Sequence, residues 1–87
     1  MEQTNFQGHR ILVVDDEQRM VRFIRLNLEH DGFEVISAFN GKEALEKVRN
    51  ALPNLVLLDV MLPDISGFKI LKKIREFSSV PVIMLTA

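Results

Sequence analysis

Cysteine is absent from this 87-residue sequence, and long hydrophobic runs are missing as well. Without thiols the chain can form neither a disulfide framework nor a thiolate metal site, and it fits a reducing compartment. Its longest apolar runs are a few residues, whereas a transmembrane helix needs about 20. The N-terminal stretch MEQTNFQGHR also has no apolar signal-peptide core. We therefore predict a soluble cytoplasmic protein that makes no membrane contact.

A large excess of charge of either sign is also lacking. Eleven Lys and Arg residues oppose twelve Asp and Glu residues, for a formal net charge of −1. A nucleic-acid-binding surface normally shows as a basic excess, so direct nucleic-acid contact is not expected. A chain of this length forms at most one domain. It buries only a little over ~60% of its unfolded surface, which makes a thin core.

The sequence instead shows a regular alternation of strand and helix patterns. Short apolar runs, typical of buried strands, alternate with apolar residues at helical spacing. The predicted strands are residues 11–14, 34–39, 55–59 and 80–85. The predicted helical stripes are Val21, Ile24 and Leu28, closed by Gly32; Ala44, Leu45, Val48 and Leu52; and Phe68, Leu71, Ile74 and Phe77, with Ile70 beside them. The order βαβαβαβ predicts an α/β fold with a mostly parallel sheet and helices on both faces.

Polar groups stand at the ends of three predicted strands. Asp15 and Asp16 follow the first strand, and Asp59 ends the third. The fourth strand is followed by Thr86. Ligands of open parallel sheets bind beyond the carboxyl ends of the strands, so the three carboxylates converge if the first and third strands are neighbours. Because such charges repel strongly in a partly desolvated site, we expect a cation among them.

The ligand types indicate which cation this is. Carboxylate oxygens without nearby His or Cys suit Mg²⁺ or Mn²⁺ rather than zinc. An ion held by two or three protein oxygens keeps positions that phosphate oxygens can take. A carboxylate can then act as the nucleophile and form an acyl phosphate. We predict Asp59 as the acceptor and Thr86 as a hydroxyl that hydrogen-bonds a phosphoryl oxygen.

Three blocks of the sequence resemble a known family. ILVVDDE, VLLDVMLPDISG and VPVIMLTA are similar to the motif blocks of the receiver domain of bacterial two-component response regulators. The similarity is greatest to the subclass whose full-length members carry a winged-helix DNA-binding output domain. It implies a flavodoxin-like (CheY-like) sheet with strand order 2-1-3-4. Residues 1–9 would then be an N-terminal tail and residues 10–87 the receiver domain.

The resemblance also implies a role for each site residue. Asp59 is the implied phosphoacceptor, which receives a phosphoryl group from the phosphohistidine of a sensor histidine kinase. Asp16 and Asp59 are implied Mg²⁺ ligands through their side chains, and Met61 through its backbone carbonyl. Asp15 would orient a metal-bound water, and Thr86 would be the switch hydroxyl that moves toward the phosphoryl group.

The sequence departs from the family pattern after its last block. Family members continue with a helix, a strand and a helix, and a lysine at the end of that strand contacts the phosphoryl group. No lysine here matches it, since Lys69, Lys72 and Lys73 belong to the third predicted helix. We therefore expect a truncated receiver with impaired phosphotransfer. Whether it catalyses its own phosphorylation and dephosphorylation stays open.

Truncation after the fourth strand would expose an apolar strand edge and part of a sheet face. Such surfaces invite pairing with another chain. We expect homo-oligomers through the fourth strand or the uncovered face. An alternative function is therefore a self-associating folding or assembly fragment with a vestigial metal pocket and no phosphotransfer. An aspartate-nucleophile phosphatase fits less well, because that design places its two acids as D-x-D on one strand.

Simpler interpretations stay open for several residues. Asp15 and Asp16 can mark the start of the first helix, which Asp16 or Glu17 can cap. Asp64 and Ser66 are assigned to a turn and to the N-cap of the third helix. The residues expected on the surface are His9, His30, Arg19, Arg22 and Arg25. The three arginines are interpreted as a solvated helix face, with kinase docking as the alternative.

Overall fold

Four strands and three helices alternate along the chain in the computed structural model, which describes residues 8–85. Thr86, the expected switch hydroxyl, lies outside this range. The strands are β1 (Arg10–Val14), β2 (Glu34–Ala38), β3 (Leu55–Asp59) and β4 (Val82–Leu85). The helices are α1 (Gln18–His30), α2 (Gly41–Ala51) and α3 (Gly67–Arg75). All the strands pair in parallel in the order β2-β1-β3-β4, which confirms the predicted α/β fold and the order 2-1-3-4.

Helices cover both faces of the sheet. Side chains alternate between the two faces along each strand, so each face carries apolar side chains that a helix buries. Val13 of β1 and Val35 of β2 pack with Val21 of α1 on one face. On the other face, the strand residues Leu12 and Leu58 pack against α2 and α3. A fully buried aliphatic side chain contributes about 1.5–3 kcal/mol. β1 and β3 are the two interior strands of the sheet, so their ends lie in the middle of one rim.

The ends of α1 and α2 differ in how well the sequence predicted them. Gly32 follows α1 with φ of 95°, as expected for a closing glycine. Leu52 was expected to continue the apolar stripe of α2, but this is wrong, because it lies past the helix end and is 74% exposed. It adopts a left-handed conformation (φ 49°, ψ 60°). A residue before proline is disfavoured in the right-handed helical region, and Pro53 follows directly.

The buried face of α3 is offset from the predicted stripe. Ile70 and Ile74 are fully buried, whereas Phe68 is 61% exposed. The prediction that Phe68 faces the core is therefore wrong. The helix turns Gly67 toward the sheet, and residues at three- and four-residue spacing from Gly67 then point the same way.

β4 begins at Val82, two residues later than predicted. Pro81 has no N–H group to donate to the ladder, but its carbonyl accepts a hydrogen bond from the Val56 N–H at 2.9 Å. On the face that α1 occupies, Ile83 lies beside Leu57 and is 52% exposed. Within residues 8–85, no helix is long and apolar enough to cross a bilayer.

Candidate metal centre

Three carboxylates meet where β1 and β3 end. Because Val14 pairs with Leu58 in the sheet, the residues that follow, Asp15 and Asp59, lie at adjacent strand ends. Each of Asp15, Asp16 and Asp59 offers a carboxylate oxygen within 4.8 Å of the others. The predicted convergence is confirmed. The roles assigned to these residues and to Met61 stay predictions.

Asp15 is the most enclosed of the three carboxylates. It is buried, whereas Asp16 is exposed and Asp59 is half-buried. Its Oδ1 accepts a hydrogen bond from the Glu17 N–H at 2.9 Å. Burial raises the pKa of Asp15, the hydrogen bond from Glu17 opposes this shift, and the nearby charges of Asp59, Asp16 and Glu17 add to it. The site therefore disfavours the charge that Asp15 carries at neutral pH.

The start of α1 does not use the cap that the sequence indicated. Glu17 occupies the N-cap position, but its side chain makes no capping hydrogen bond. The carboxylate of Asp15 instead accepts the N–H of Glu17. This contact fixes the orientation of Asp15 beside the other two acids.

Asp59 is held by the loop that follows it. Its Oδ1 accepts a hydrogen bond from the Met61 N–H at 3.1 Å, while the Met61 side chain is exposed. The Val60 N–H donates to the Leu85 carbonyl at 3.0 Å and so continues the pairing with β4 beyond Asp59. One carboxylate oxygen of Asp59 is thereby oriented by the backbone, and the half-buried side chain stays accessible.

Gly67 is a site residue that the sequence reasoning missed. A Cβ at this position would collide with the Asp59 carbonyl oxygen and lie 2.9 Å from the Cα of Val60. The Gly67 N–H donates to the Val60 carbonyl at 2.7 Å. α3 can therefore begin directly against the backbone that carries Asp59. A glycine that opens a helix just after a strand and turn was the available signal for this close approach.

Asp64 has a second role besides the predicted one in the turn. Its Oδ1 accepts the N–H of the next residue in the turn, and the same carboxylate also caps α2, 22 or 23 residues earlier in the chain. Oδ1 accepts from the Gly41 N–H at 2.9 Å and the Ile65 N–H at 3.0 Å, and Oδ2 accepts from the Lys42 N–H at 3.1 Å. The hydrogen bond from Gly41, helped by those from Lys42 and Ile65, lowers the pKa of Asp64.

The remaining caps follow the sequence rules. The Ser66 hydroxyl accepts from the Lys69 N–H at 3.3 Å, which confirms Ser66 as the N-cap of α3. The Asn40 side chain accepts from the Glu43 N–H at 2.9 Å at the start of α2. α2 thus begins with one cap from its own segment and a second from the loop after β3, and this ties that loop in place.

The donor set fits a hard divalent cation. The cluster consists of carboxylates that belong to two neighbouring strand ends. Mg²⁺ and Mn²⁺ prefer such oxygen ligands and need only a few of them from protein. Burial and the neighbouring carboxylates disfavour the ionised form of Asp15, and a divalent ion bound among the three acids would offset this. Asp15, Asp16 and Asp59 are the residues that could hold it.

Comparison with known proteins identifies the same kind of domain throughout. The family model described as the response regulator receiver domain matches residues 11–87. The response regulator ArlR of Staphylococcus saprophyticus is 45% identical over 78 residues, which are 90% of this chain and 36% of that protein. The alkaline phosphatase synthesis transcriptional regulatory protein PhoP of Bacillus subtilis is 46% identical over 79 residues, 90% of this chain and 33% of that protein. The chain thus spans about a third of these curated relatives.

Solved structures show the same fold. The response regulator protein TrrA of Thermotoga maritima, in complex with Mg²⁺ and BeF, superposes with a TM-score of 0.84 at 40% identity, over 90% of this chain and 69% of that one. The N-terminal domain of a response regulator receiver protein from Methanoculleus marisnigri gives a TM-score of 0.86 at 41% identity, over 90% and 66% of the two chains. These neighbours confirm the predicted flavodoxin-like, CheY-like architecture.

Proposed function

This chain belongs to the response regulator receiver domain family, and from this membership we propose that it accepts a phosphoryl group on Asp59 in a Mg²⁺-dependent reaction. The observation that supports the proposal most is the convergence of Asp15, Asp16 and Asp59 within 4.8 Å at adjacent strand ends. Three acids so placed offer a ligand set for the ion and, in Asp59, an accessible nucleophile.

The reaction we propose is a transfer from phosphohistidine to carboxylate. A carboxylate oxygen of Asp59 attacks phosphorus, the P–N bond to the imidazole breaks, and an acyl phosphate forms. The P–N bonding pair goes to the ring nitrogen, and because the other ring nitrogen carries a proton, the imidazole leaves as the neutral ring. Bound Mg²⁺ supplies positive charge that balances the carboxylates and the phosphoryl oxygens.

The chain's own residues prepare the carboxylates for this step. The Met61 N–H orients one oxygen of Asp59, and the close packing of Gly67 holds the backbone of Asp59. Asp15, oriented by the Glu17 N–H, faces the same space as Asp16. We propose that Asp16 and Asp59 bind the ion directly, that Met61 contributes its carbonyl, and that Asp15 orients a metal-bound water.

The partners belong to the same proposal. Receiver domains accept phosphoryl groups from sensor histidine kinases, so we propose such a kinase as the donor. PhoP, a relative, is by its name a transcriptional regulatory protein. We therefore propose that the full-length parent carries a winged-helix DNA-binding output domain. Thr86, outside the described residues, is the proposed switch hydroxyl.

A phosphodonor assay on the chain tests this function. With Mg²⁺ and acetyl phosphate, intact-mass spectrometry should show one added phosphoryl group in the parent chain and none in Asp59→Asn. Asp31→Asn is the matched control, because it removes the same charge from an exposed carboxylate at the end of α1. The proposal fails if Asp59→Asn is phosphorylated to the same extent as Asp31→Asn. It also fails if the parent chain is phosphorylated to the same extent in EDTA as in Mg²⁺.

The second candidate function is self-association without phosphotransfer. The exposure of Ile83, 52% on a sheet face, is the observation that favours it. Two measurements distinguish the candidates. Sedimentation velocity across a concentration series measures assembly, and thermal denaturation with and without Mg²⁺ and beryllofluoride measures binding at the acidic cluster. A chain that assembles but shows no thermal stabilisation by either addition would support the assembly fragment over the phosphoacceptor.

A further inference from the structure

The outer edge of β2 carries backbone groups that point away from the rest of the sheet. In β2 the residues Glu34 and Ala38 bond toward β1, since the Glu34 N–H donates to the His9 carbonyl and the Ala38 carbonyl accepts from the Asp15 N–H. Residues alternate along an edge strand, so the backbone groups of Val35 and Ser37 point outward, followed by those of Phe39. Such a row can pair with a strand of another molecule.

Side chains from two helices occupy this row. The Arg25 guanidinium of α1 donates to the Val35 carbonyl at 3.0 Å and to the Ser37 hydroxyl at 2.6 Å. The Lys47 ammonium of α2 donates to the Ser37 carbonyl. The Glu43 carboxylate of α2 accepts from the Phe39 N–H at 2.9 Å. Arg25 was expected on a solvated helix face, and this is wrong, because it reaches the strand edge and is only partly exposed.

These contacts come from opposite faces of the sheet. α1 lies on one face and α2 on the other, so their long side chains meet over the edge of β2. A strand that paired with β2 would have to break the charge-assisted hydrogen bonds that Arg25 and Lys47 donate to the two carbonyls. It would also have to push both cationic side chains out of the space that its own backbone needs. We propose that Arg25, Lys47 and Glu43 form a cap that closes the β2 edge to strand addition.

The opposite edge of the sheet has no such cap among the described residues. The Pro81 and Leu85 carbonyls accept from β3 and the following loop, so the backbone groups of Val82 and Met84 point outward. Within residues 8–85 no side chain hydrogen-bonds these groups. A chain with one open edge can pair only edge to edge and stops at a dimer, whereas two open edges permit open-ended assembly.

A pair of double variants tests the cap. Arg25→Met with Lys47→Met removes both cations that bond the edge carbonyls. Arg22→Met with Lys42→Met is the control, because it also removes two positive charges and, among the described residues, neither side chain hydrogen-bonds the β2 edge. Arg22 is a close match for the test positions, because it lines a cavity of about 440 Å³ beside β2 together with Arg25 and Lys47. Sedimentation velocity over a concentration series measures assembly, and hydrogen exchange measures protection of the Val35 and Ser37 amides.

The cap predicts a specific difference between the two double variants. At a concentration at which the control double variant does not exceed a dimer, Arg25→Met with Lys47→Met should form larger species, since the two carbonyl contacts no longer compete with pairing at the β2 edge. The Val35 and Ser37 amides should become protected as it assembles. The proposal is overturned if both double variants stop at the same size, or if the control also polymerises.

A second pair of variants decides the question if the first double variant does not fold by circular dichroism. Lys47→Met removes one carbonyl contact, whereas Lys47→Arg keeps a long cation that can reach the Ser37 carbonyl. Assembly beyond a dimer in Lys47→Met alone supports the cap. Equal assembly of the two variants, or assembly in neither, overturns it.

Discussion

Asp59 of the acidic cluster and Asp64 of the α2 cap are only five residues apart in the sequence, but their carboxylates have opposite surroundings. The acidic cluster brings Asp59 together with Asp15 and Asp16, so each carboxylate faces other negative charges. Asp64 instead accepts three backbone N–H groups. Burial raises the pKa of Asp15, whereas hydrogen bonds, that from Gly41 foremost, lower the pKa of Asp64.

This difference separates a binding site from a structural contact. A carboxylate that meets N–H donors is stabilised by the protein itself and holds two segments together. Carboxylates that meet each other destabilise the metal-free fold and gain from any cation that binds between them. The loop between Asp59 and Asp64 therefore joins a site that needs a ligand to a cap that needs none.

Gly67 packs against the backbone of Asp59 and Val60, and its substitution should have the largest effect on stability. In Gly67→Ala the new Cβ would collide with the Asp59 carbonyl oxygen. We expect the free energy of unfolding to fall by about 2–3 kcal/mol, because α3 must move away from β3. Urea denaturation measures this, with Lys69→Ala as a control on the exposed side of the same helix. Equal stability of Gly67→Ala and Lys69→Ala would contradict the close approach.

Removal of the Asp64 charge should destabilise the fold by a smaller amount. Asp64→Asn keeps one oxygen but loses the paired acceptor at the start of α2, so we expect a loss of about 1 kcal/mol at pH 7. The folded pKa of Asp64 lies below its unfolded value. Its contribution is therefore present above the unfolded pKa of about 3.9 and is lost as the pH falls through the folded pKa.

Urea denaturation at pH 7 and at successively lower pH, with Asp31→Asn as the reference for loss of an exposed carboxylate, measures this effect. The stability difference between parent and Asp64→Asn should shrink as acid is added. A constant difference across that range would show that the charge of Asp64 does not stabilise the cap.

Removal of the Asp15 charge should have the opposite sign and the smallest magnitude. Asp15→Asn keeps an acceptor for the Glu17 N–H but ends the repulsion with Asp59 and Asp16. Without divalent ions at pH 7, we expect a gain on the order of 1 kcal/mol or less after solvent screening. The same denaturation experiment in EDTA measures it. A less stable Asp15→Asn variant would show that the charge of Asp15, like that of Asp64, stabilises the fold.

The pH dependence of Asp15 has its own sign. Its folded pKa lies above its unfolded value, so the penalty is full above the folded pKa and is relieved as the pH falls through it. The advantage of Asp15→Asn should therefore shrink between that raised pKa and about pH 3.9. Saturating Mg²⁺ should also cancel it, since each tenfold excess over Kd stabilises the parent by about 1.4 kcal/mol.

Most of the fold could be predicted because its signals are local. The apolar runs of the strands, the closing Gly32 and the Ser66 cap each depend on neighbouring residues, and all three predictions are confirmed. The acids at the ends of β1 and β3 were also readable, because parallel strands end on the same rim. Phe68 was assigned to a buried stripe in error, since periodicity gives the spacing of a stripe but not its phase. Leu52 was assigned to one in error because α2 ends before it.

Spacing along the chain was enough to predict the succession of strands and helices, the Gly32 and Ser66 helix ends and the three acids of the candidate site. Three features emerge only from the packing of the folded chain: Asp64 caps α2, Gly67 packs against the backbone of Asp59, and Arg25 and Lys47 cover the edge of β2. These contacts join segments 8 to 23 residues apart. Their geometry depends on which strands are neighbours and in which register, and no local pattern of residues carries that information.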